Sequence, residues 1–202
     1  MTTASPLGGP ARAGPAAFVD RDGVINEERS HVHRVDDFVL LPGVVEGLMT
    51  LQSAGYRLVV VTNQSGIARG LYTHADYRVV TQHMQALLAR RGVVLAGVYH
   101  CPHHPTAGLG DLRRVCDCRK PLPGLLLRAA AELGLDLSRS VLVGDRRSDI
   151  EAGRAAALAA AVLVRSGHVP SAADEAAADA TFAGLAEAAQ WLVARRTGRA
   201  GR

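Results

Sequence analysis

The chain has 202 residues, 48% of them apolar, and a formal net charge of +4, enough length and apolar content for one domain with a full core. No apolar stretch is long enough to span a bilayer, so no membrane partner is expected. The positive excess lies in Arg195, Arg196, Arg199 and Arg202; residues 1–194 are near neutral, which argues against a broad nucleic-acid-binding face.

Residues 1–15 are small and rich in Gly and Pro, lack the charged-then-apolar pattern of a secretory signal, and are expected to form a flexible leader. Ala16–Val19 reads as a short buried strand, with Gly23 as the turn that ends it. Its end carries Asp20-Arg21-Asp22-Gly23-Val24-Ile25-Asn26. Two carboxylates this close repel unless a cation lies between them or one holds a proton. Both solutions serve chemistry, as a Mg²⁺ site of oxygen ligands or as a nucleophile beside a general acid. Taken alone, the motif reads equally well as a solvated acidic turn.

A helix is expected over 44–54, with Val44, Val45, Leu48 and Leu51 on one face. The β-branched run Val59–Val61 then delivers Thr62-Asn63-Gln64-Ser65-Gly66, a loop that offers backbone N–H groups and a hydroxyl to a phosphate. Thr73 can cap a helix running to Arg91, with Asp76 completing a capping box, and a strand covers 96–99. Arg119-Lys120-Pro121 is a cationic pair in an extended turn. A helix over 124–133 leads to the strand Val141–Gly144, which ends in Asp145 with Asp149 four residues on, and to a helix from Ser148. The strand 161–164, an Ala-rich weak helix or connection over 172–180, and a helix over 185–193 complete the domain, 16–194; a basic tail, 195–202, is expected to be disordered. This alternation predicts an α/β fold, a parallel sheet with helices on both faces. Ligands in such sheets sit beyond the strand carboxyl ends, where Asp20, Thr62 and Asp145 all fall.

All three cysteines and two histidines share one loop, Cys101-Pro102-His103-His104 and Cys116-Asp117-Cys118. C-x-H with C-x-C supplies four N/S ligands for tetrahedral Zn²⁺ from Cys101, His103, Cys116 and Cys118. An odd cysteine count disfavours a disulfide. Four protein ligands leave no open position, so the zinc is expected to be structural, fixing the adjacent Arg119 and Lys120.

In this order the motifs resemble the haloacid dehalogenase-type phosphatases, over nearly the whole chain from Phe18 to Trp191. The stretches Asp20–Asn26, Thr62–Gly70, Cys101–Pro105 and Cys116–Pro121 look like the heptose 1,7-bisphosphate 7-phosphatase family. Histidinol-phosphate phosphatase domains share these features but usually have a shorter gap between the two zinc half-motifs. The resemblance implies a Rossmann-like domain and a Mg²⁺-dependent phosphoric monoester hydrolase acting on a sugar bisphosphate. Asp20 would be the nucleophile and Asp22 the general acid/base, with Thr62 and Lys120 binding the transferred phosphoryl group. Mg²⁺ would lie on Asp20, Asp145 and the Asp22 carbonyl. Substrate recognition would involve Arg21, Glu28, Arg29, Ser30, His31, Asn63, Gln64, Ser65, Arg119 and Arg146, although Arg146 stands where relatives commonly carry Lys. A cytoplasmic monomer is expected. A histidinol phosphatase and a zinc-stapled, non-catalytic binding module are the alternatives.

Overall fold

The computed structural model describes residues 13–198. Residues 1–12 of the leader expected over 1–15, and residues 199–202 of the tail expected over 195–202, lie outside the described residues. Within them, the carbonyls of Gly14 and Pro15 accept hydrogen bonds from Asp136 and Arg57, both at 2.9 Å, so the chain is tied down before the first strand.

Six strands form one parallel sheet in the order β3-β2-β1-β4-β5-β6: β1 (Ala16–Val19), β2 (Arg57–Asn63), β3 (Leu95–Cys101), β4 (Val141–Gly144), β5 (Ala160–Val164) and β6 (Thr181–Phe182). Parallel strands covered on both faces read as continuous apolar runs, as β1, β2, β4 and β5 do. Alternate residues take opposite faces. Val19, Val60, Val143 and Val162 join the core of α1 (Val44–Ser53), α2 (His74–Ala89) and α6 (Leu185–Arg196), beside Leu48, Met84 and Ala188. Phe18, Val59, Leu142 and Leu163 face α3 (Gly124–Leu133) and α4 (Arg147–Ala155), against Leu126 and Ile150. A short α5 (Ala172–Ala177) follows β5 within the Ala-rich stretch.

The expected capping box is present: Thr73 Oγ1 accepts from the Asp76 N–H at 3.2 Å, and Asp76 accepts from the Thr73 N–H at 2.8 Å. Two elements run beyond their expected ends. β3 reaches Cys101 because its last residue pairs with Asn63 on β2. α6 continues to Arg196, so the basic stretch expected to be disordered begins as helix. The Arg195 guanidinium lies 5.2 Å from the Trp191 ring and that of Arg196 4.8 Å from the Tyr56 ring, aromatic contacts that hold the last turn.

β1 lies between β2 and β4, so the chain winds in opposite senses on either side of it. The crevice at the carboxyl ends of these three strands is the place where such sheets bind ligands.

Candidate active site

Asp20, Thr62 and Asp145 are delivered to one crevice by β1, β2 and β4. The Asp20 backbone N–H extends the ladder to the Val143 carbonyl at 3.0 Å, which fixes where its side chain emerges. Lys120 arrives from the loop before α3. Its buried ammonium lies 3.0 Å from Asp20 Oδ1 and 2.5 Å from Asp149 Oδ1, and donates to the Val61 carbonyl at 2.9 Å. Asn63 pins the Lys120 backbone from both sides, donating to its carbonyl at 3.0 Å and accepting from its N–H at 3.1 Å.

The electrostatics follow from burial. Desolvation pushes the Asp20 carboxyl up to about 6; Lys120 opposes this, and Asp149 and Asp22 add to it. Burial also raises Asp145, with the Asp20 charge adding to it, and burial raises Asp149 against the pull of Lys120. Lys120 is held above its ordinary value, because the Asp149 and Asp20 charges outweigh its burial. Asp20, Asp145 and Asp149 bring carboxylate oxygens within 4.8 Å of one another. Lys120 neutralises only one side of this group. Asp145 Oδ1 is buried without a hydrogen-bond partner, while Oδ2 sits 2.8 Å from His168 Nδ1. An unpaired buried carboxylate oxygen beside a second carboxylate fits a hard divalent cation.

Two glycines make room for this arrangement. Gly23 adopts φ +78°, and a Cβ there would stand 2.4 Å from Asp145 Oδ2; a Cβ on Gly167 would stand 2.2 Å from the same atom. Neither position admits a side chain while Asp145 keeps its place.

Above these groups opens a cavity of about 430 Å³. Asp22, Glu28, Ser30, His31, Asn63, Gln64, Ser65, Arg119 and Arg146 line it, together with Asp20, Thr62 and Lys120. Glu28 and Arg146 face each other at 3.6 Å, and Arg119 donates to the His103 carbonyl at 3.3 Å. Arg21 and Arg29 do not line the cavity. Arg29 pairs with Glu27 at 2.6 Å, and Arg21 is buried to 1% exposure, folded back onto Asp22. Burial would depress the Arg21 pKa, and the Asp22 carboxylate more than offsets it.

The cysteine loop closes as its spacing predicts. Sγ–Sγ separations among Cys101, Cys116 and Cys118 are 3.6, 3.2 and 3.4 Å. His103 Nδ1 lies 3.7 Å from the Cys101 sulfur and 3.4 Å from that of Cys118. A tetrahedron with metal–ligand bonds of about 2.0–2.3 Å has edges of roughly 3.5–3.8 Å, so this group can bind zinc with modest adjustment. His104 is turned away: its Nδ1 accepts from the Thr106 and Ala107 N–H groups, at 3.2 and 2.9 Å.

Comparison with known proteins agrees with this geometry. The HAD-hydrolase-like family model matches residues 117–188. A D-glycero-beta-D-manno-heptose-1,7-bisphosphate 7-phosphatase of Yersinia pestis is 45% identical over 181 residues, 90% of this chain and 96% of that protein. The chain belongs to the heptose-bisphosphate phosphatases of the haloacid dehalogenase-like family. Among solved members, a HAD-like phosphatase from Mesorhizobium loti superposes with a TM-score of 0.79 at 35% identity, covering 96% of this chain and 91% of that one. The D,D-heptose 1,7-bisphosphate phosphatase of B. bronchiseptica, complexed with magnesium and phosphate, superposes with a TM-score of 0.74 at 31% identity, covering 90% and 99%.

In this member of the family Arg69, Tyr72, Ser148 and His168, none of them expected from the sequence, also line the cavity. Arg69 lies within the Thr62–Gly70 motif, and its Nη2 sits 3.1 Å from His104 Nε2. His168 lies in the loop after β5, which ends at Val164, on the same edge of the sheet as Asp145. That placement was the available signal.

Proposed function

We propose that this phosphatase removes the C7 phosphate of D-glycero-beta-D-manno-heptose 1,7-bisphosphate, leaving heptose 1-phosphate for nucleotide-heptose biosynthesis. The observation that supports this best is the division of charge in the cavity. Lys120 pairs with Asp20, and the cavity is lined by three further cations, Arg69, Arg119 and Arg146, of which Arg146 faces Glu28. A monophosphate needs only Lys120. The further guanidiniums suit bidentate recognition of a second phosphate.

In the first half-reaction, Asp20 attacks phosphorus and the bond to the C7 oxygen breaks, while Asp22 gives that oxygen a proton. The product is an aspartyl-phosphate on Asp20. In the second half, Asp22 takes a proton from water as the water attacks phosphorus, releasing inorganic phosphate and restoring Asp20. Lys120 donates to the phosphoryl oxygens throughout. Thr62 Oγ1 already accepts from Gln64 Nε2 at 2.9 Å, so its own hydrogen is free to join them. Asp20, Asp145 and the Asp22 carbonyl would hold Mg²⁺, which when bound supplies charge neutralisation between Asp20 and the phosphate. Asp149 is spent on Lys120.

We place the enzyme in the cytoplasm as a monomer acting on a small phosphosugar. Thiols converging on a metal-ready cluster suit a reducing compartment. Among the described residues no helix is long and apolar enough to cross a membrane. The test is phosphate release from both anomers of the heptose bisphosphate and from histidinol phosphate. The beta anomer is expected to lead histidinol phosphate by about tenfold or more in kcat/KM, the contribution of an added charge-assisted contact. Preference for histidinol phosphate would refute the assignment.

A further inference from the structure

We infer that Arg21 is the positioning residue for Asp22, fixing its carboxylate and tying it to the substrate-facing segment 27–33. The inference rests on the acid/base reading of Asp22 given above. Arg21 is among the largest fully buried side chains of the protein, yet it lines no part of the cavity. Two of its three nitrogens donate to Asp22, Nε to Oδ1 at 3.1 Å and Nη2 to Oδ1 at 2.8 Å and Oδ2 at 2.9 Å, while Nη1 is buried without a partner. Nη2 also donates to the Val32 carbonyl at 2.8 Å. The guanidinium carbon lies 5.9 Å from the centre of the Tyr77 ring, which packs it on another side.

Asp22 is held by two more donors, Asn26 Nδ2 at 3.0 Å and Gln64 Nε2 at 2.9 Å. Gln64 accepts from the Tyr72 hydroxyl at 2.5 Å, and the Tyr72 ring stacks on His33 at 5.0 Å. Val32 and His33 are thus each connected to Asp22, one through Arg21 and the other through Tyr72 and Gln64. Both directly follow Ser30 and His31, which line the cavity and hold positive φ values of 53° and 70°. Asp22 must present an oxygen to the sugar oxygen and then to water at nearly the same point. A planar fork with fixed donors can hold a carboxylate in that orientation, and a single ammonium cannot.

The experiment compares R21Q and R21K in the parent and in the D22N background, measuring kcat and KM on the heptose bisphosphate and the inhibition constant of inorganic phosphate. Circular dichroism melting confirms folding. R21Q is expected to lower kcat about tenfold to a hundredfold with phosphate inhibition unchanged within about twofold, and to cost under about threefold once Asp22 is Asn. R21K keeps the buried charge and carries the test where R21Q does not fold. It is expected to recover little of kcat, because charge returns without the fork. A full multiplicative loss in the D22N background would overturn the inference, since Arg21 would then act elsewhere. Weaker phosphate inhibition and higher KM at unchanged kcat would overturn it in favour of direct substrate binding. Near-normal turnover by D22N alone would remove the acid/base reading itself and the inference with it, an outcome distinct from the other two.

Discussion

Replacing Lys120 by Met removes the cation that lies between two buried carboxylates and so tests the electrostatics of the site without substrate. The Lys120 side chain is 1% exposed and touches Asp20 at 3.0 Å and Asp149 at 2.5 Å. Deleting one member of a buried ion pair costs about 3–5 kcal/mol, most of it the penalty of the charges left behind. In a chain of this size that corresponds to a fall in Tm of roughly 6–20 °C. The loss has a predicted pH dependence. A carboxyl raised to about 6 from an ordinary 3.8 holds its proton in the folded chain at pH values where the unfolded chain has released it. Such a group favours folding as pH falls through 6 and opposes it above, and removing Lys120 raises it further. The K120M deficit is therefore expected to be largest near about pH 7.5 and to shrink toward about pH 5. Added Mg²⁺ should recover part of it by giving Asp20 another cation. The assay is thermal melting by circular dichroism in zinc-replete buffer, with and without Mg²⁺. Melting within about 2 °C of the parent at both pH values would show that the buried carboxylates do not depend on the Lys120 charge.

Freshly purified protein is expected to hold about one zinc that resists dialysis, and C118S to lose both zinc and turnover, because Cys118 directly precedes Arg119 and Lys120; active protein without zinc on elemental analysis would contradict this. R119A is expected to lower kcat/KM for the bisphosphate about ten- to a hundredfold and to affect a simple monophosphate ester much less. Equal proportional losses would make Arg119 a structural residue. His100 packs 4.1 Å from Tyr77 with Nε2 unpaired, and burial, with His74 adding to it, pushes its pKa down to about 4. The unfolded chain then takes up a proton that the folded chain excludes, so stability is full above about 6.5 and falls as the pH drops toward about 4. H100F should flatten that acid limb by about 1–2 kcal/mol after allowance for solvent screening; denaturant curves at several pH values that match the parent would contradict it.

The parts of the site legible in the sequence are those that depend on local rules. Asp20, Thr62 and Asp145 each follow an apolar run, and strand–helix alternation alone brings such residues to one edge of a parallel sheet. Cys101, His103, Cys116 and Cys118 stood out because ligand spacing is itself a local signal. Asp149 stood out beside Asp145, but its pairing with Lys120 depends on where a loop 29 residues earlier places an ammonium. Arg21 was the clearest miss of direction. It lies between two active-site carboxylates, and the turn at Gly23 sends its side chain into the protein rather than toward the cavity. His168 meets Asp145 across 23 residues, a contact that no local pattern encodes. The extent of α6 was hidden for the same reason, since Arg196 finds Tyr56 only in the folded chain.

Asp20 carries the phosphoryl group between sugar and water in the proposed reaction. Rapid acid quench of D22N with the heptose bisphosphate, followed by peptide mass spectrometry, tests this assignment most directly. A phosphoryl mass increment is expected on the peptide containing Asp20, converted to homoserine by borohydride and absent from D20N, which should fold normally and not turn over. A phosphoryl group on any other residue, or steady turnover by D20N, would contradict it.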